Sequence, residues 1–233
     1  MRPVIRRTLR GGAWNLRKGR NRDHVAREVL TLLRRRKLHF LAVHEAADYI
    51  DTLRPYLRRR GYRVHCYQGG DLPARDTAVI SKMTVTARAK LLHDMGGVRW
   101  ERSRRNRHMG LHPSRKHVSV RVGWLRVMAM HGPPTPNYPR TLPLRHAAHA
   151  AWMDRLEQIM GWWVPKPYVI TGDGNLSARS DQITNLCSAT GATVHGRGID
   201  FTLSGPKVRV SDWVSIGFGD SDHDPQLFDV SYR

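Results

Sequence analysis

The sequence predicts an α/β fold in which two sheets pack face to face and carry helices on their outer sides. Three observations predict it. Short apolar runs of strand character recur along the whole chain and alternate with a few stretches of helical period. The 233 residues are 40% hydrophobic, enough for a substantial core, and no repeat, Gly/Ser linker or low-complexity segment divides them, so a single domain over residues 1–233 is expected. Several of the apolar runs end in a carboxylate, an amide or an imidazole, which places those groups at the rim of a sheet.

The elements follow in order. Ala13-Trp14-Asn15-Leu16 belongs to an N-terminal strand. Asp23 caps a helix whose apolar face is Val25, Val29, Leu32 and Leu33. Arg34, Arg35, Arg36 and Lys37 end it where the helix dipole favours cations. Residues 38–43 read as a buried strand ending at His44-Glu45, and residues 47–60 as a second amphipathic segment, bent or opened by Pro55 and closed by Gly61. Strands follow at residues 63–67, 77–81 and 85–91, whereas residues 93–116, basic and rich in Gly and His, read as loop. Residues 117–122 and 125–130 form a hairpin turning at Gly123-Trp124. A long helix covers residues 144–163, its stripe Trp152, Leu156, Ile159 and Trp163 facing the core. A strand at residues 168–171 ends in Gly172-Asp173-Gly174-Asn175, a short helix lies near residues 180–190, and runs at 199–203, 208–210, 213–216 and 226–230 complete the sheets.

Charge narrows the partner. Lys and Arg number 40 against 19 Asp and Glu, a net charge of +21 that opposes compaction and points to a polyanion. Residues 1–40 hold thirteen Lys/Arg and two acids, and residues 99–121 hold eight and one. After Asp200 the balance reverses, with acids at Asp212, Asp220, Asp222, Asp224 and Asp229. A basic body holds phosphates, and a local acidic cluster holds the cation that does chemistry on them. Two distant cysteines, Cys66 and Cys187, offer neither zinc spacing nor a disulfide framework. No run has the length of a membrane span and the basic N-terminus lacks the apolar stretch of a signal peptide, so a cytoplasmic protein is expected.

Six motifs in order carry the chemistry: Asn15; Glu45 after Leu41-Ala42-Val43-His44; His131 after Val127-Met128-Ala129-Met130; Gly172-Asp173-Gly174-Asn175; Ile199-Asp200-Phe201; and Ser221-Asp222-His223-Asp224-Pro225. Together they resemble the endonuclease/exonuclease/phosphatase family, DNase I-like and exonuclease III-like. The resemblance spans Asn15 to Pro225 and implies a four-layer α/β sandwich with two central mixed sheets flanked by helices. It also implies Mg²⁺ or Mn²⁺, with Glu45 as the first-choice ligand and Asn15 and Asp222 completing the site. By the same resemblance His223 is general base or proton-relaying phosphate ligand, Asp200 orients and charges it, Asp173 positions water or assists the leaving group, Asn175 binds a non-bridging oxygen, and His131 donates to the phosphate or acts as acid. Which group is base and which is acid stays open. His44 stands where the family commonly has Gln, placed to support Asn15 or Glu45 as a donor, or to fill space.

The charge favours nucleic acid over a small phosphate ester, with Arg17, Lys18, Arg20, Arg102, Arg104, Arg105 and Arg107 as candidate phosphate contacts. Abasic-site specificity is disfavoured, because Arg197 stands where that subfamily has Trp. The expected protein is a monomeric DNA endonuclease or exonuclease of low sequence selectivity, DNA ahead of RNA. The alternatives are a phospholipid or phosphoinositide phosphodiesterase or phosphatase of the same fold, or a non-catalytic basic nucleic-acid-binding protein.

Overall fold

The computed structural model describes residues 8–17, 19–66, 76–83, 90–94, 99–101, 109–111, 116–133 and 142–233. The chain runs β1 (Leu9–Asn15), α1 (Arg22–Arg35), β2 (Phe40–His44), α2 (Ile50–Arg58), β3 (Arg63–Cys66) and β4 (Thr77–Ser81). It continues with β5 (Lys90–Asp94), β6 (Arg99–Glu101), β7 (Met109–Leu111), β8 (Lys116–Val122) and β9 (Leu125–His131). Then come α3 (Leu142–Trp163), β10 (Tyr168–Asp173), α4 (Asp181–Thr190), β11 (Thr193–Arg197), β12 (Asp200–Ser204), β13 (Val208–Ser215) and β14 (Gln226–Tyr232).

Two six-stranded sheets form, in the orders β13-β14-β1-β2-β4-β3 and β11-β12-β10-β9-β8-β5, beside a ribbon of β6 and β7. Each large sheet is mixed: β1–β2 and β9–β10 are parallel, and their other neighbours antiparallel. Because side chains alternate across a strand, each strand feeds two cores. Phe40, Ala42, Val79, Val127, Ala129, Val169 and Phe228 fill the space between the sheets. From the same strands Trp14, Leu41, Val43 and Ile80 face α1 and α2, packing on Val25, Val29, Leu33, Leu53 and Leu57. Met128, Met130, Tyr168, Ile170 and Phe201 face the other way, onto Trp152, Leu156, Ile159 and Trp163 of α3 and Ile183 and Leu186 of α4. The result is the four-layer sandwich, helices outside and two mixed sheets within.

Local readings needed four corrections. Asn21 caps α1, its side chain accepting from His24 N at 3.0 Å, and Asp23 sits in the first turn, where its charge suits the dipole. Pro55 lies inside α2. Residues 93–116 are not all loop: β5 pairs with the edge of β8, and β6 and β7 pair with each other. The two runs at 208–216 are one strand, β13, bulged between Ser211 and Val214 with Asp212 at φ 53°. Among the described residues no helix is long and apolar enough to cross a membrane.

Candidate active site

The two parallel pairs build the site. In register, β1 sets Asn15 beside His44 of β2, and β10 sets Asp173 beside His131 of β9. Parallel strands end at the same edge, and the sheets stack so that these ends meet. Asn15 Nδ2 donates to Asp173 Oδ2 at 3.3 Å, and the Asp173 amide donates to His44 Nε2 at 3.1 Å, so the hydrogen bonds cross from one sheet to the other.

Asn15 and Asp173 turn the chain by the same device. Asn15 Oδ1 accepts from the Arg17 amide at 3.0 Å, and Asp173 Oδ1 from the Asn175 amide at 2.8 Å. Arg17 (φ 57°), Glu45 (φ 54°) and Asn175 (φ 52°) all lie in the left-handed region just past these strand ends, a conformation non-glycine residues adopt rarely and chiefly where surroundings enforce it. Gly172 has φ 145°, and a Cβ there would lie 2.6 Å from the His44 ring and 2.2 Å from the Met130 carbonyl oxygen. Only glycine lets the ring reach the Asp173 amide.

Two Asp–His pairs flank Asp173. His131 Nδ1 bonds Asp76, and its Nε2 lies 4.0 Å from Asp173 Oδ2; both members of that pair are 4% exposed. The second pair is more open: His223 Nδ1 donates to Asp200 Oδ2 at 2.8 Å, with side chains 21% and 17% exposed. Asp200 lies opposite Asp173 across the antiparallel β10–β12 ladder, and one ligand atom each of Asp173, Asp200 and His223 falls within 4.8 Å of the others. The hydrogen bond to Asp200 raises His223 to about 9, outweighing the effect of burial. Burial raises Asp173, an effect the nearby His131 opposes. Asp200 Oδ1 is buried, and among the described residues no donor reaches it. The open pair faces a cleft of about 810 Å³ that Ile199, Trp213, Val214 and Asp222 also line.

Of the residues expected at the site, Asn15, His131, Asp173, Asn175, Asp200 and His223 come together, Asn175 Nδ2 tying to the Gly132 carbonyl at 3.0 Å. Glu45 is half-buried directly after β2. Asp222 is exposed, 4.0 Å from Arg17. Arg20 is only 10% exposed and its guanidinium is bonded to Glu28 and to the Leu16 carbonyl, which leaves it poorly placed for a phosphate. Lys18, Arg102, Arg104, Arg105 and Arg107 lie outside the described residues. His44 Nε2 accepts from the Asp173 amide, which puts the ring proton on Nδ1. Asp76 was not anticipated, and its only local signal is an acid standing just before a strand.

No protein-family profile matches the chain, and no curated protein does. Solved structures do. The human Nocturnin catalytic domain, solved with a bound sulfate anion, superposes with TM-score 0.63 at 13% identity, covering 98% of each chain. An endonuclease/exonuclease/phosphatase from Bacteroides vulgatus gives 0.62 at 15% identity, covering 97% of this chain and 100% of the other. Humanized D. rerio TDP2 gives 0.59 at 15%, covering 96% and 98%. The fold is that of the endonuclease/exonuclease/phosphatase proteins. At these identities the likeness speaks for architecture. Within the endonuclease/exonuclease/phosphatase fold, chemistry is set by the side chains at the site.

Proposed function

We propose that the chain is a divalent-cation-dependent phosphodiesterase acting on nucleic acid, DNA ahead of RNA, with low sequence selectivity. The observation that carries the reading is the convergence of two Asp–His pairs and Asn15 on Asp173 at the edge where both sheets end, one pair facing an open cleft. Burying charged pairs is costly and adds little stability, so their concentration at one rim favours a chemical role.

Asp200 keeps His223 protonated at neutral pH, so the imidazolium presents charge and an N–H to a phosphate oxygen as negative charge develops there. Asp173, made more basic by burial and held by Asn15 and Asn175, orients a water and accepts its proton. His131, fixed by Asp76, directs Nε2 toward the same space and donates to the phosphate or leaving oxygen. Asn175 takes a non-bridging oxygen. The residues fit a hard cation. The donors are two carboxylates and an amide oxygen, with Glu45 half-buried just past β2 and Asp222 on the rim of the cleft, the oxygen set a hard cation takes. Glu45, Asn15 and Asp222 would hold it, and Mg²⁺ or Mn²⁺ there would supply Lewis-acid charge to the phosphoryl group.

The net charge of +21 supports a polyanionic substrate, and the sulfate carried by the Nocturnin domain accords with an anion site on this fold. The test is a substrate panel with and without Mg²⁺: supercoiled plasmid, linear duplex, single-stranded DNA, RNA and phosphoinositide vesicles. Cleavage of duplex DNA above the others, with affinity falling as salt rises, is expected. Preference for the vesicles at matched salt would overturn the nuclease reading in favour of a phospholipid substrate.

A further inference from the structure

The terminal loop that carries His223 is held from outside the chemistry. Ser221 Oγ donates to the Asn15 carbonyl at 2.6 Å, and Trp14 Nε1 donates to the His223 carbonyl at 3.0 Å. Phe218 stacks edge-on against Trp14 at 5.7 Å between centroids. The third anchor comes from α1. Glu28 Oε1 accepts from the Asp220 amide at 3.1 Å, while Glu28 Oε2 is bonded to Arg20. His24 Nε2 bridges Glu28 Oε1 at 3.3 Å and Asp220 Oδ2 at 3.2 Å. Gly219 presses onto this group at φ 75°, and a Cβ there would lie 2.7 Å from Glu28 Oε1 and 2.9 Å from the Trp14 ring.

The spacing of His24, Glu28 and Asp220 would also suit a cation. Arg20 already supplies positive charge to that group, bonded to Glu28 and 4.0 Å from Asp220, and the Asp220 amide already occupies Glu28 Oε1. The cluster therefore serves as a clamp. Exposed ion pairs do little, but Arg20 and Glu28 are only 10% and 11% exposed, so losing one leaves the other uncompensated.

We propose that Glu28 is a positioning residue for His223: it fixes the Gly219–His223 segment and so keeps the imidazole on Asp200 and aimed at the phosphate. The inference rests on the phosphodiesterase reading above. Arg20 belongs to this clamp and not to the phosphate surface.

The experiment compares Glu28→Ala, Glu28→Gln and Gly219→Ala, all with Mg²⁺ and a small nitrophenyl phosphodiester, together with backbone amide exchange at residues 219–223. In Glu28→Ala, kcat should fall roughly ten- to hundredfold, the scale of a slight misplacement of a reacting group, with KM changed by less than about threefold. Exchange at the Asp220 amide should speed. Gly219→Ala pushes the loop off the same anchor from the other side and should reproduce the kcat loss while leaving the Arg20–Glu28 charges in place. Glu28→Gln keeps a carbonyl oxygen for the Asp220 amide but loses the charge that balances Arg20, and should recover part of the rate. Unchanged kcat in both alanine variants, or a rate loss that merely tracks a lowered thermal midpoint, overturns the positioning role. Wild-type protein inert toward every phosphodiester overturns the phosphodiesterase reading instead, and amide exchange still decides whether Glu28 holds the loop.

Discussion

The two Asp–His pairs are chemically alike and differ in their access to solvent. Asp76–His131 is buried at 4% exposure, whereas Asp200–His223 opens on the cleft. A buried pair is shielded from bulk water, so Asp76 fixes the ring that borders Asp173, and its Nε2 can act only on what enters that space. An open pair meets solvent, so on the proposed reading Asp200–His223 is the pair that presents its charge to a phosphate. Burial, more than residue type, divides the roles.

The largest effect should come from removing the cation. With EDTA, hydrolysis should fall to background while both pairs and the fold persist; full activity in chelator would leave the pairs working without a metal. Next, His223→Ala and Asp173→Ala should each lower kcat by about two or more orders of magnitude, the loss expected when a placed acid or base is removed. His223→Ala should barely move the thermal midpoint, since its ring is partly exposed. A His223→Ala enzyme at near wild-type rate would erase the functional half of the comparison.

Asp76→Ala sharpens the other half. It removes the carboxylate bonded to a buried imidazole and should cost about 1–3 kcal/mol of stability, visible as a lowered melting temperature. Asp200→Ala should cost less, because water can reach its partner. Equal losses would mean that exposure does not separate the pairs.

The smallest effect concerns pH, measured as the melting temperature in chelator. His223 is raised to about 9 from 6.5, so its pair contributes stability that is fully present below about pH 6.5 and is lost as pH rises through about 9. Asp200→Asn should flatten that alkaline decline. His65 and His195 are lowered from 6.5, chiefly by burial, so their contribution is present above pH 6.5 and lost on acidification. Stability should therefore decline on both sides of neutrality, and an alkaline limb unchanged in Asp200→Asn would remove the linkage to this pair.

Much was legible in the sequence because it is local. Strand alternation at Phe40–His44 or Tyr168–Asp173 needs only neighbouring residues, and the Gly-Asp-x-Asn turn at Asp173 closes on its own backbone, so both read directly from the residue order. The order of Asn15, His131, Asp173, Asp200 and His223 was likewise enough to nominate them as one site. What the order did not reveal were partners set by packing. Asp76 reaches His131 across 55 residues, because pairing sets the start of β4 beside the end of β2 and the stacking of the two sheets brings that edge against the end of β9. His44 finds an amide on the other sheet, and Arg20 turns inward to Glu28 although its charge alone suggested a surface contact. β5 overlaps the strand expected at residues 85–91, whereas β6 and β7 hide in a basic, histidine-rich stretch whose strand character comes from their pairing with each other. Residue type and spacing determine which chemistry a chain carries; only the stacking of two sheets, which brings distant strand ends into hydrogen-bonding range and sets how much water each meets, decided which of its acids and histidines work together.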